Sequence, residues 1–311
     1  MTLIFGINLS DKIYLSGDTR MSRKDDNGVL VDRKDQIIKI VYLTPLIIGS
    51  FAADAHMSVF VAKKLKNLLG KNFDIRSFYD QAEYIIAPIA NEYWETVNPK
   101  ASLTIIFGGL NPNSKKKFDW ENVHKKVLAY TELRKDRPAM NLKPALFNCM
   151  LEQQGEPMNY PEPSDSLVFS VQIFPPNGFI KEKAEWGEYL AYGPKGLNKN
   201  DIDPLVFGMA EFDSGEESKD NMSISAVLSS IVEQRKEEAV STTFFNAFIS
   251  DEAQGTITGA IHRVNLENMR SELIQHIRKI GDKFYSSDEK GTLKKLTFLE
   301  DYKDFGNLDI L

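Results

Sequence analysis

A chain of 311 residues with 44 acidic and 38 basic side chains carries a net charge of −6, a balance that argues against a dedicated nucleic-acid surface. The length suffices for a sizeable core without disulfides or metal, and the single cysteine, Cys149, excludes an internal disulfide and points to a cytoplasmic protein. No apolar run approaches the roughly 18–20 residues that cross a bilayer, and the start lacks the basic and long apolar regions of a secretion signal.

Residues Thr2 to Leu9 and Lys12 to Ser16 read as two short strands separated by "SD", a hairpin signal. The polar stretch "RMSRKDDNGVLVDRKD" follows, and "QIIKIVYL" and "LIIG" form a second strand pair around "TP". From Ala53 the period changes: Val59, Val61, Ala62, Leu65, Leu68 and Leu69 recur at helical spacing, with Gly70 placed to end the helix. A second helix is predicted from Ile75 to about Tyr93, where Pro88 could introduce a kink, and "SLTIIFGGL" is a strand. Residues Asn111 to Asp165 are the least regular and read as an insertion.

Strand character returns in "SLVFSVQIF" and "WGEYLAYG", with "PPNGF" as a turn between them. A helix over Ser223 to Ala239 leads to "STTFFNAFIS", the turn "DEAQG", and "TITGAIHRV". A last helix is predicted from Leu266 to Phe284, within a C-terminal helical extension over about 264–311. Segregated blocks of strands and helices fit one α+β domain, helices stacked on antiparallel sheets, better than a doubly wound sheet. There is no Walker loop and no GxGxxG, and His56, His124, His262 and His276 show no zinc-site spacing, so neither cofactor nor metal is expected.

Three stretches, "TLIFGINLSDKIYLSGDTRMS", "KIVYL" and "GSFAADA", resemble the proteasome β-subunit family of N-terminal nucleophile hydrolases. The resemblance is clear over about the first seventy residues and extends from Ser166 onward in element order only. It implies a four-layer αββα sandwich, with Thr2 as the threonine freed at the chain start, Asp18 as the aspartate sixteen residues later, and Lys39 as the lysine of the third strand. The family's helix-leading loop matches Gly49 to Asp54, with Ser50 where a glycine usually supplies the oxyanion N–H. Its later D-x-x-S pair maps to Glu238 and Ser241, or alternatively to Asp251 and Gln254. The first mapping leaves "TTFFNAFIS" and "TITGAIHRV" as the closing hairpin. The family's G-S-G serine falls at Pro194, a departure.

The chemistry explains why these residue types belong together. A threonine hydroxyl needs a base, and the α-amine of an N-terminal threonine, with an ordinary pKa of roughly 7.7–8.0, serves as one at neutral pH. A lysine ammonium beside it disfavours protonation of that amine and stabilises charge on the hydroxyl, while an aspartate holds the lysine. With Met1 attached the Thr2 nitrogen is an amide and cannot act, so activity requires its removal. The implied function is threonine-type hydrolysis of peptide or protein amides. The family also implies a homo-oligomeric ring or stack with room for an unfoldase partner, and neither nucleic acid nor membrane.

Two other readings share the fold: a non-catalytic assembly or binding subunit, supported by Ser50 and Pro194, and a relative that transfers the acyl group to an amine. Taken singly, Thr2 is an ordinary strand residue and Asp18 an ordinary turn residue, and Arg20 holds the turn that follows. Lys39 is more informative, being the only charge in "QIIKIVYLTPLIIG" and sharing a strand face with Ile37, Val41 and Leu43. It needs a buried partner, or else it guards a sheet edge against aggregation.

Overall fold

The computed structural model of this chain describes residues 2–8, 12–24, 30–34, 37–71, 73–115, 164–185, 188–193, 202, 224–225, 228–229, 231–235, 238–241, 244–250, 260–265, 270–280, 283–287, 293–295 and 297–301. Seven strands come first: β1 (Ile4–Asn8), β2 (Lys12–Asp18), β3 (Met21–Lys24), β4 (Leu30–Lys34), β5 (Ile37–Ile38), β6 (Ile40–Thr44) and β7 (Ile47–Ala53). Two helices follow, α1 (Ala55–Leu68) and α2 (Ile75–Thr96). Strands β8 (Leu103–Lys115), β9 (Ser164–Phe174), β10 (Gly178–Ala184), β11 (Tyr189–Tyr192) and β12 (Phe244–Ser250) come next. The last are β13 (Ala260–Asn265), β14 (Arg270–Ile280), β15 (Lys283–Ser287), β16 (Leu293–Lys295) and β17 (Thr297–Phe298), ending in a 3-10 turn at Leu299–Asp301. Among the described residues the protein is thus mixed α and β, rich in sheet and with few helices.

Two antiparallel sheets carry the architecture, one ordered β11-β1-β2-β12 and the other β10-β9-β8-β7-β6. Strand alternation assigns each side chain its layer. Ile4, Ile13, Leu15 and Phe245 of the first sheet share a buried cluster with Ile48, Ile106 and Val168 of the second, so these faces pack on each other. The approach is close at Gly6, where an added Cβ would lie 2.7 Å from both Ile106 and Leu15. The alternate residues Phe5, Ile7, Tyr14 and Phe248 pack instead with Ile224, Leu228 and Ile231, which lie among helical residues.

On the far face of the second sheet, Phe51, Phe107 and Phe169 bury against Met57 and Val61 of α1 and Phe78 and Ile86 of α2. Phe78 meets Phe107 edge-on at 4.9 Å and Phe169 at 5.4 Å, a favoured aromatic geometry. Both helices start at an aspartate: Asp54 accepts from the Met57 N–H at 2.8 Å, and Asp74 from those of Arg76 and Ser77. Helix α2 runs through Pro88, which lies on its exposed side.

Arg76 fastens the start of α2 to the sheet. Its guanidinium donates to both oxygens of Asp165, at 2.7 and 2.8 Å, and to Glu185 at 2.9 Å. Burial alone would raise the Glu185 pKa, but the hydrogen bonds and charge of Arg76, with help from Lys183, bring it down to about 2 from an ordinary 4.5. A carboxylate depressed in the folded state contributes stability in full above its ordinary pKa and loses it as pH falls toward the folded value. Glu185→Gln is therefore expected to lower Tm at pH 7 and to flatten the fall in Tm between about pH 5 and 2. Calorimetric scans across that range check it.

Several expectations need correction. The region read as a last helix, Leu266 to Phe284, contains β14 and the start of β15, paired His276 to Ser287 and Ile280 to Lys283. The predicted C-terminal helical extension is accordingly strand over 270–280, 283–287 and 293–295. Leu273, Ile274, Ile277 and Ile280 mimic helical spacing, but the two residues between Ile280 and Lys283 are Gly-Asp, a hairpin signal. The expected closing hairpin of β12 with β13 is not formed: β12 pairs with β2, and β13 with β14. The polar stretch after Arg20 contains the β3–β4 hairpin, and β10 lies between "PPNGF" and "WGEYLAYG".

Of the expected insertion, Asn111 and Asp165 are paired in β8 and β9, and residues 116–163 lie outside the described residues, as do Pro194, Asp251 and Gln254. Among the described residues, no helix is long and apolar enough to cross a membrane.

Candidate active site

The site is built from the ends of three strands. Antiparallel pairing of β1 with β2 sets Ile4 opposite Gly17, which brings Leu3 opposite Asp18 and leaves Thr2 one residue beyond. The pairing is closed by two bonds: Asp18 N–H donates to the Leu3 carbonyl and Leu3 N–H to Asp18 Oδ1, each at 3.0 Å. Lys39 sits at the break between β5 and β6, its carbonyl accepting from Phe51 N–H at 3.0 Å. Its stem passes Gly17, where an added Cβ would come within 3.6 Å of the Lys39 Cβ and 3.1 Å of Ser50 Oγ.

At this crossing Lys39 Nζ donates to Asp18 Oδ1 at 2.8 Å and to Thr2 Oγ1 at 2.9 Å. Lys39 is 4 % exposed and Asp18 0 %, so the pair is buried, while Thr2 is half-buried. Asp18 also accepts from three backbone N–H groups: Leu3 at Oδ1, and Arg20 and Ser241 at Oδ2, at 3.0 and 3.3 Å. Four donors match the roughly four lone-pair sites that a carboxylate offers. The edge-guard reading of Lys39 loses to this geometry, because an edge lysine would face water.

The chain around Ser241 is strapped to the same corner. Arg20 donates to the Glu238 carbonyl at 2.9 Å and to that of Val240 at 3.3 Å, and Thr19 Oγ1 reaches Ser241 Oγ at 3.5 Å. Ser241 therefore joins the Asp18 cluster, and Glu238 enters through its main-chain oxygen. Within the turn after Asp18 it is the Arg20 main-chain N–H that bonds Asp18, while the guanidinium ties the distant 238–241 segment to the same corner.

Ser50 lies within β7, paired with Ile40 and Ile106, and its hydroxyl donates to the Ser16 carbonyl at 3.2 Å. The main chain that borders Thr2 is the next stretch, Phe51 to Ala53, along one side of a hollow of about 60 Å³. Met21, Ser22, Ala55, Ser58 and Leu299 line it as well. None of these was singled out from sequence, since small and aliphatic residues carry no chemical signature. Leu299 in particular reaches the hollow only through tertiary structure.

Ala53 at the mouth of the hollow has φ of 81°, a conformation that costs a residue with a Cβ about 1–2 kcal/mol. Ala53→Gly is expected to raise unfolding stability by about 1 kcal/mol, net of the larger unfolded-state entropy of glycine. A higher urea midpoint at constant slope checks it.

No model of a known protein family matches the sequence, and no curated protein matches it either. Solved structures similar to this chain include eukaryotic HslV from Trypanosoma brucei, 10% identical, covering 80% of this chain and 99% of that one at a TM-score of 0.41. They include the helical assembly of the Anbu complex from Pseudomonas aeruginosa, 13% identical, covering 85% and 87% at a TM-score of 0.47. Anbu from Hyphomicrobium sp. strain MC1 is 12% identical, covering 87% and 86% at a TM-score of 0.44.

Proposed function

We propose that this protein is a proteasome-like N-terminal nucleophile hydrolase with a four-layer αββα core, cleaving peptide or protein amides with Thr2 once Met1 has been removed. One observation carries the reading: Thr2 Oγ1 lies 2.9 Å from Lys39 Nζ, which is itself 2.8 Å from the buried Asp18. In this scheme the freed Thr2 α-amine takes the hydroxyl proton and the oxygen attacks the scissile carbonyl; the tetrahedral intermediate then breaks its C–N bond, and the departing amine receives that proton from the α-ammonium, leaving an acyl-enzyme ester. The Lys39 ammonium stabilises the negative charge growing on Oγ1. Asp18 holds that ammonium in place, and the acyl-enzyme ester is hydrolysed by water.

The tetrahedral oxyanion would lie along β7, where the resemblance to the family puts a donor at the Ser50 main-chain N–H. The Phe51 N–H is committed to the Lys39 carbonyl, and strand alternation then turns the Ser50 N–H the other way, toward Ile106 of β8, so a donor at Ser50 would have to leave the sheet ladder. Assembly as a homo-oligomeric ring or stack, with an unfoldase to feed it, belongs to the same reading.

Intact mass of protein from its native host, followed by reaction with a peptide epoxyketone, tests the proposal. Such an electrophile needs both the hydroxyl and a free α-amine. Loss of the Met1 mass and a single adduct on the Thr2 peptide are expected. Met1 retained in every molecule would favour a non-catalytic assembly or binding subunit, a role to which the buried Ser50 in place of glycine is suited. Product formed with an added amine instead of water would indicate an acyl-transferring enzyme.

A further inference from the structure

We infer that Leu299, carried back to Thr2 by the C-terminal segment 297–301, sets the size of side chain accepted on the acyl side of the scissile bond, restricting it to small uncharged groups such as those of alanine and valine. The inference rests on the reading of Thr2 as nucleophile. Strand β17 pairs in parallel with β5, Thr297 with Ile37 and Phe298 with Ile38. One residue further on, this register brings Leu299 abreast of Lys39, the residue that contacts Thr2 Oγ1. Leu299 is 3 % exposed, belongs to the core cluster that includes α1, and closes one side of the hollow beside Thr2.

The segment is pinned there from the next residue. Glu300 Oε1 accepts from Lys66 Nζ of α1 at 2.6 Å, and the glutamate side chain is 16 % exposed. Leu299 is thus held by a strand on one side and a helix on the other, as a fixed wall.

The dimensions and charge of the hollow define what fits. Its volume of about 60 Å³ is well under the roughly 150 Å³ of a protein cavity that takes benzene. That is room for a methyl or isopropyl group and too little for an aromatic ring. Phe51, Ala52, Ala53 and Ala55 provide an apolar lining, and no carboxylate is among its residues. A basic side chain would meet Arg20 and Lys39 with no carboxylate among the described lining residues to neutralise it. An acidic one would find both cations engaged, Lys39 by Asp18 and Arg20 by two carbonyls.

The test uses the full chain with Thr2 exposed, peptidyl-coumarin amides carrying alanine, valine, leucine, phenylalanine, lysine or aspartate on the acyl side, and matching epoxyketones. The wild type is expected to favour alanine and valine over phenylalanine by about ten- to a hundredfold in kcat/KM, the discrimination that one or two carbons give in an apolar pocket. Leu299→Ala is expected to raise kcat/KM for leucine and phenylalanine by about tenfold or more. Leu299→Val, which removes a single carbon and spares the fold, should shift preference the same way by a few-fold.

A wild type that prefers phenylalanine, lysine or aspartate overturns the inference. So does labelling of all three proteins with unchanged size preference, or labelling lost in Leu299→Ala alone while Leu299→Val keeps the wild-type profile. Absence of labelling of the wild type by every probe overturns both this inference and the nucleophile on which it rests.

Discussion

Thr2→Ala is expected to lower kcat/KM for a peptide amide by a factor on the order of 10⁶ and to abolish adduct formation, because the variant lacks the only atom that attacks the substrate. The effect on stability should be small. Thr2 is half-buried and accepts one bond from Lys39, which keeps its 2.8 Å contact with Asp18 when the hydroxyl is gone. Loss of one such bond costs about 1 kcal/mol. A dead but normally folded variant would thus separate chemistry from architecture. Thr2→Ser, which keeps a hydroxyl at the same place, should still label. Equal turnover by Thr2→Ala and wild type would sink the assignment of Thr2.

The second large effect is expected at the buried ion pair, and the two single substitutions should differ. Lys39→Met leaves Asp18 charged in the interior but still holding three backbone N–H bonds, from Leu3, Arg20 and Ser241. Its cost should lie near the low end of the 3–5 kcal/mol typical of breaking such a pair. Asp18→Leu removes the carboxylate that faces the buried ammonium and also releases those three N–H groups, so its cost should reach the upper end. The double variant Asp18→Leu/Lys39→Met should cost less than the sum, since neither charge is left buried alone.

Urea unfolding of the four proteins measures these differences, and simple additivity would mean that the pair contributes little coupling. For activity, Lys39→Met should lower kcat/KM by about 10²–10⁴ through loss of the charge beside Oγ1. A rate unchanged by Lys39→Met would leave the lysine a structural role only.

The meeting of Thr2, Asp18 and Lys39 is legible in the sequence because it rests on local rules. The register of the β1–β2 hairpin follows from alternation and a short turn, which fixes Thr2 relative to Asp18. A lone lysine in an apolar strand needs a buried partner unless it guards an edge, which narrows what Lys39 can do. What was missed depends on partners remote in sequence or on misleading patterns. Strand β10 was overlooked because "GFIKEKA" is charged and partly exposed, the composition that guards an edge, and it is an edge strand of its sheet.

Strand β14 mimics a helix because its isoleucines and leucine fall three and four apart, a pattern that outweighs the Gly-Asp signal at 281–282 inside the predicted helix. Leu299 had no motif to reveal it. Its position comes from a two-residue parallel pairing with β5, more than 250 residues earlier in the chain, which periodicity cannot encode.

The corner at Asp18 joins residue 2 to residues 39 and 241, and Leu299 closes the hollow beside it. The order in which the chain is made therefore fixes when the site exists. During synthesis the strands that hold Thr2 precede their partners: Asp18 lacks its Ser241 contact until 223 further residues have been made, and the hollow lacks its Leu299 wall until later still. Contacts of such long sequence separation form late in folding. A chain made only as far as Ser241 would hold Thr2, Lys39 and Asp18 together without the wall that Leu299 adds beside them, so the corner would be assembled before the hollow it borders.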